Sequence, residues 1–148
     1  MNCDFLEIEK NQLFRISKLW QQLNEIHKND SNNFKDYYDK NTFENRCEKF
    51  INISENNIKI EIIEDNEIPI GYCISTIEKG VGEIESLFIE DQYRKFGYGQ
   101  QLVKSSIKWM KNNDCKRIIV SVADGHESVF EFYKKFGLYP KLTYLQMK

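Results

Sequence analysis

The sequence predicts a single α/β domain, residues 1–148, built on a mixed, mostly antiparallel sheet flanked by about four helices. Three observations predict it. Three β-rich runs follow one another across short turns between positions 58 and 89. After position 89 the pattern changes to helix, strand, helix, strand. Finally, 148 residues with 41 % hydrophobic content suffice for one packed core and leave little for a second.

Phe5, Leu6 and Ile8 mark a first short strand. Leu13, Ile16, Trp20, Leu23 and His27 then recur at helical spacing, with Leu19 and Ile26 widening the apolar stripe. The polar stretch Lys28–Lys40 breaks that pattern. Asn41 or Thr42 suits the N-cap of a second helix, in which Phe43, Cys47, Phe50 and Ile51 share a face. Ile58–Ile63 alternates and is β-branched, Asp65-Asn66 reads as a turn, and Ile68–Ile77 returns as a strand with Pro69 at its beginning. Lys79-Gly80 turns the chain into Glu83–Ile89, completing an antiparallel meander.

Beyond it, a helix over Gly99–Asn112 buries Leu102, Val103, Ile107 and Met110. Arg117–Val122 reads as a strand, Glu127–Phe136 as a helix burying Val129, Phe132 and Phe136, and Leu142–Met147 as a last strand. Strands Glu83–Ile89 and Arg117–Val122, joined by one helix, are expected to lie parallel with a right-handed crossover.

Composition excludes several function classes. A net charge of −2, from 21 basic and 23 acidic residues well mixed, gives no footprint for nucleic acid or a lipid surface. Cys3, Cys47, Cys73 and Cys115 lie far apart with no Cys-x-x-Cys pair, and neither His27 nor His126 has a second histidine at ligand spacing. No metal site is expected, and the thiols read as reduced. No stretch approaches the ~20 apolar residues of a membrane span, and no signal peptide is visible, so a cytoplasmic location is expected.

The informative segment is Glu83–Ile89 running through a turn, Arg94-Lys-Phe-Gly-Tyr-Gly99, into a helix. A helix N-terminus offers unpaired N–H groups and a positive dipole end, which suits a phosphate. Glycines let the backbone approach it closely, and Arg94 adds a multi-donor cation. No Gly-Lys-Ser/Thr follows, so this is not a Walker loop. The dinucleotide fingerprint also fails, because its third glycine position is Leu102. Alone, the motif also fits a glycine turn that merely starts a helix.

The order strand, Arg94-x-x-Gly97-x-Gly99, amphipathic helix, strand, then Phe132-Tyr133-Lys-Lys-Phe-Gly137-Leu138, resembles the GNAT superfamily of acetyl-CoA-dependent N-acetyltransferases. The element order covers nearly the whole chain; the specific motifs lie in residues 83–138. The resemblance implies transfer of an acetyl group from acetyl-CoA, as co-substrate, to a primary amine of a small molecule or peptide. It implies direct transfer in a ternary complex, and a possible homodimer. A non-catalytic acyl-CoA-binding or sensing module of the same fold is the alternative. Three positions depart from the family pattern: His126 stands where Asn is common seven residues before the Tyr, Val129 where Ala is common, and Leu138 where Phe usually follows the Gly.

By position, the resemblance gives the backbone of Leu87, Phe88 and Ile89 to the acetyl carbonyl and pantetheine arm, although the same residues also read as core strand. It gives Arg94 and the N–H groups of Lys95, Phe96, Gly97, Tyr98, Gly99 and Gln100 to the pyrophosphate. His126 is left able to donate one hydrogen bond to the cofactor. Tyr133 is the candidate general acid for the departing thiolate, against the plainer reading of a core aromatic. Glu85 is the candidate general base for the amine, with Glu83 second, against solvated charges on a strand face. Asp36, Asp39, Phe34, Tyr37 and Tyr38 fall in a segment that the resemblance places over the acceptor, though turn-forming and loop-anchoring roles suit them equally.

Overall fold

A computed structural model describes residues 3–148. Five strands form one sheet in the order β1-β2-β3-β4-β5: Cys3–Ile8, Ile58–Asp65, Ile68–Glu78, Val81–Ile89 and Arg117–Val120. Every neighbouring pair is antiparallel except β4 and β5, which run parallel. The two hairpin turns use left-handed pairs, Asn66-Glu67 and Lys79-Gly80. Two such residues in a row match the right-handed twist of the strands they join.

Helices cover both faces. A 3₁₀ turn at Lys10–Ile16 leads into α1, Ser17–Asp30; α2 is Lys35–Lys40 and α3 is Phe43–Ile51. On this face Ile16, Leu19, Trp20, Leu23, Phe43 and Phe50 pack with Ile58, Ile60, Ile62, Tyr72, Ile74 and Phe88 of the sheet. Thr42 caps α3, its hydroxyl accepting from the Asn45 N–H at 3.1 Å. The other face is covered by α4, Tyr98–Asn112, and α5, Phe130–Lys134. Leu102, Val103 and Met110 of α4 and Tyr133 of α5 pack there with Ile63, Ile70, Cys73, Ile77, Ile84 and Ile89.

Three expectations change. The polar segment after α1 folds as α2, whose residues are none of them buried, so no apolar stripe announced it. The helix expected over Glu127–Phe136 is a 3₁₀ turn, Glu127–Val129, followed by the short α5. Gly137, at φ 82°, closes it, with the Leu138 N–H reaching back to the Tyr133 carbonyl at 3.2 Å. The strand expected over Leu142–Met147 does not form, and its large side chains are exposed, Leu145 at 94 %. The segment joins neither open edge of the sheet, and its apolar side chains cover no surface.

Two irregularities in β4 open the sheet near its end. Ser75 faces Ile84 and Ile74 faces Ser86, so Glu85 is an extra residue, a β-bulge. Pairing with β5 covers only Val81 to Ile84, ending at Ile84 opposite Val120. From Glu85 onward β4 has no strand on its β5 side among the described residues, because β5 ends at Val120, and the opening this leaves is the wedge.

Candidate active site

The wedge exposes backbone donors of known direction. The Glu90 N–H donates to the Ile70 carbonyl of β3 at 2.9 Å. Because N–H groups alternate sides along a strand, that of Phe88 also faces β3. Those of Leu87 and Ile89 therefore face the gap. The Ile89 carbonyl lies on the same side, where Arg94 Nε donates to it at 2.8 Å. Of the three residues expected to offer backbone groups, two aim theirs into the opening, while Phe88 contributes its ring.

Immediately beyond lies the glycine turn. Lys95 (φ 71°) and Gly97 (φ 83°) are both left-handed, a conformation that turns successive N–H groups toward one side. Gly97 occupies the N-cap position of α4. The Gln101 N–H makes the first bond to an intrahelical carbonyl, that of Gly97 at 3.0 Å, so the N–H groups of Tyr98, Gly99 and Gln100 open outward. Gly99 runs close under Phe132, whose ring carbon would lie 3.6 Å from an added Cβ. The Arg94 guanidinium stacks over Phe88, 5.3 Å from the ring centre, and Nη1 lies 3.4 Å from Asp91. Beside it, between α1 and the end of β4, is a cavity of about 520 Å³ lined by Gln22, Glu25, Ile26, Phe88, Glu90 and Arg94, among others.

Tyr133 reaches β4 from the α5 face of the sheet, 9 % exposed and packed in one cluster with Cys73, Leu87 and Ile89. Burial, with a smaller contribution from the Cys73 thiol, pushes its phenol above the ordinary value, so it stays protonated at neutral pH.

The two glutamates differ sharply. The Glu85 side chain is 1 % exposed. Its carboxylate accepts from Arg46 Nη2 at 3.2 Å, Lys49 Nζ at 2.8 Å and Thr76 Oγ1 at 2.6 Å. The candidate base is thus enclosed and supplied with three donors. Glu83 is 26 % exposed with Lys49 Nζ 4.0 Å away. Burial first, then the charge of Glu85, raises its pKa, with Lys49 and Arg46 opposing. His126 lies edge-on to His27 of α1, ring centres 5.2 Å apart. Sequence reading missed Arg46, Lys49 and Thr76, because only tertiary packing brings them to β4.

The sheet opens at its parallel pair, and a helix N-terminus and two left-handed turn residues lie behind the opening. The chain belongs to the acetyltransferase (GNAT) family, whose profile matches residues 19–138. It is 29 % identical over 79 residues to a Bacillus subtilis (strain 168) protein assigned as the alanine N-acetyltransferase of ribosomal protein bS18, covering 53 % of this chain and 52 % of that one. It is 30 % identical over 87 residues to an uncharacterized N-acetyltransferase of Methanocaldococcus jannaschii, covering 54 % of this chain and 38 % of that one. The chain thus spans about half the length of the first of these relatives and less of the second.

Among solved structures, it is similar to the aminoglycoside acetyltransferase AAC(6′)-Iy in complex with a CoA bisubstrate analogue, at a TM-score of 0.67 and 14 % identity. That match covers 100 % of this chain and 99 % of that one. It is similar also to glucosamine-6-phosphate N-acetyltransferase from Arabidopsis thaliana, at a TM-score of 0.65 and 14 % identity with the same coverage. These structural likenesses establish the mixed sheet with its flanking helices. Among the described residues, no helix is long and apolar enough to cross a membrane.

Proposed function

We propose that this chain is an acetyl-CoA-dependent N-acetyltransferase that passes an acetyl group directly to a primary amine of a small molecule or peptide. The observation that carries it is one continuous run of unspent donors: Leu87 and Ile89 along the wedge, then the open N–H groups of α4. Acetyl-CoA supplies an activated acyl thioester, whose carbonyl becomes more negative as an amine attacks it. An N–H fixed by the fold and aimed at that oxygen stabilises the change at no cost of reorganisation. In this reading the Leu87 and Ile89 N–H groups serve the acyl carbonyl and pantetheine arm. Arg94 and the backbone from Lys95 to Gln100 take the pyrophosphate.

Two proton movements remain. An ammonium has no lone pair for attack, so a base must remove its proton. The enclosure of Glu85 under Arg46 and Lys49 argues for its neighbour: Glu83 is partly open and has a raised pKa. Tyr133, kept protonated by burial, is the proton source for the departing sulfur, whose thiol has a pKa of about 8.5 by analogy with cysteine. His126, edge-on to His27, keeps a ring nitrogen able to donate one hydrogen bond to the cofactor. Proteins similar to this one are named for the alanine of a ribosomal protein and for aminosugars, all of them primary amines.

The test has two stages. Acetyl-CoA in excess should raise the melting temperature, and an unmoved value removes the site. Thiol release should then be followed with polyamines, aminosugars, amino acids and peptides. If no amine raises release above hydrolysis while the thermal shift persists, the non-catalytic sensing module replaces the enzyme.

A further inference from the structure

Glu85 faces no residue on either neighbouring strand: it is the extra residue opposite β3, and pairing with β5 stops one position earlier. Its carbonyl therefore has no place in a ladder, and a buried carbonyl must be satisfied elsewhere. Arg46 does so. Its Nη2 donates to the Glu85 carbonyl at 2.8 Å and to the Glu85 carboxylate at 3.2 Å, gripping backbone and side chain of the same residue. The guanidinium is itself held in place, lying over the Phe50 ring one helical turn on, 5.1 Å from its centre. Lys49 and Thr76 complete the carboxylate's partners, and Tyr72 and Ser86 share a hydrogen bond of 2.7 Å at the next residue.

The grip matters because of what the bulge decides downstream. If Glu85 took the regular position opposite Ile74, every later residue would shift by one. Leu87 would face Tyr72, and Phe88 would face Gly71. A one-residue slip reverses both side-chain faces and N–H directions. Ser86 and Phe88 would then aim their N–H groups into the wedge, and Leu87 and Ile89 would lose theirs to β3. The bulged and regular registers thus present different donors.

We infer that Arg46 is a positioning residue, which acts through Glu85 to hold β4 in the register that turns the Leu87 and Ile89 N–H groups toward the acyl end of the co-substrate. The inference rests on the reading of the wedge as the acyl-thioester site. Lysine keeps the charge but not the planar group that stacks on Phe50, so it holds the shared donor over Glu85 less firmly.

Two measurements on the full chain test it. The first needs no ligand: cross-strand backbone NOEs should pair Phe88 with Tyr72 in the native chain. In Arg46→Ala they should weaken or pass to Leu87 with Tyr72. The second compares binding of acetyl-CoA with that of its nucleotide fragment, adenosine 3′-phosphate 5′-diphosphate, by calorimetry. Arg46→Ala should lose tenfold or more in acetyl-CoA affinity while fragment affinity stays within twofold, and Arg46→Lys should fall between. If Arg46→Ala does not fold, Arg46→Lys decides by the same ratio. Unchanged NOEs with unchanged acetyl-CoA affinity, or an equal loss for both probes, overturns the inference. A native chain that binds neither probe overturns the reading of the wedge instead, while the NOEs still report whether Arg46 sets the register.

Discussion

Arg94 and Ile89 are joined by a hydrogen bond of 2.8 Å from guanidinium Nε to backbone carbonyl, so the cation beside the turn is braced by the strand that lines the wedge. Nη1 and Nη2 point elsewhere, and the only acid paired with them among the described residues, Asp91, is almost fully exposed. A charged hydrogen bond to phosphate contributes about 1.5–3 kcal/mol. Arg94→Ala should therefore weaken acetyl-CoA binding by about 10- to 100-fold, with a smaller loss for Arg94→Lys. Calorimetric titration checks this, and an affinity indifferent to the substitution would remove Arg94 from the site.

Gly97 separates backbone conformation from space. At φ 83° it is left-handed, yet an added Cβ would meet nothing within 4 Å. Gly97→Val should cost about 1–2 kcal/mol of stability through strain alone. Acetyl-CoA affinity should fall far more, because the N–H groups of the turn lose their common direction. Paired thermal melts and binding isotherms would reveal the opposite result, a stability loss with affinity intact.

Tyr133→Phe removes one oxygen from a buried ring and leaves the packing in place. With an acceptor in hand, kcat should drop about 10²- to 10⁴-fold with little change in acetyl-CoA affinity. The phenol's raised pKa also places its ionisation beyond the working range, so no alkaline limb from this group should appear below about pH 10, the ordinary phenol value. On the acid side, a raised Glu83 pKa means that the base form is lost as pH falls through a value above the usual carboxylate range. That limb should be absent from the pH–rate profile of Glu83→Gln.

His27 makes the fold sensitive to acid. Burial, reinforced by His126 and opposed by Asp30, pulls its pKa down to about 4 from 6.5. Its Nδ1 is buried without a partner among the described residues. Between those two values the unfolded chain binds the extra proton, so the stability it confers is full above 6.5 and fades as pH falls toward 4. Each kcal/mol so lost lowers the melting temperature by roughly 2–4 °C in a chain of this size. His27→Gln should flatten that part of the curve relative to the native chain, as thermal melts across the range would record.

Much of the fold is legible in the sequence. Asp65-Asn66 and Lys79-Gly80 announce the hairpin turns, Thr42 announces its helix, and Gly97 with Gly99 announces the turn into α4, because each carries a local conformational preference. The hidden features are those that no local preference encodes. Glu85 reads as one more residue in an alternating strand, and only the partners on β3 and β5 make it a bulge. Lys95 adopts a left-handed conformation that its residue type does not advertise. Arg46 and Lys49 look like the solvated face of a helix until packing sets that helix over β4. In the other direction, Leu142–Met147 carries β-favouring and apolar side chains yet joins neither edge of the sheet.

The short seam between β4 and β5 has a mechanical consequence. Four facing residue pairs hold β5 to the rest of the sheet, against six between β1 and β2 and eight at each of the two central junctions. In the free protein, amide exchange along β5 should accordingly outpace that of β2 and β3. An elongated molecule seated across the split would act as a missing rung, and its arrival should slow exchange on both banks at once.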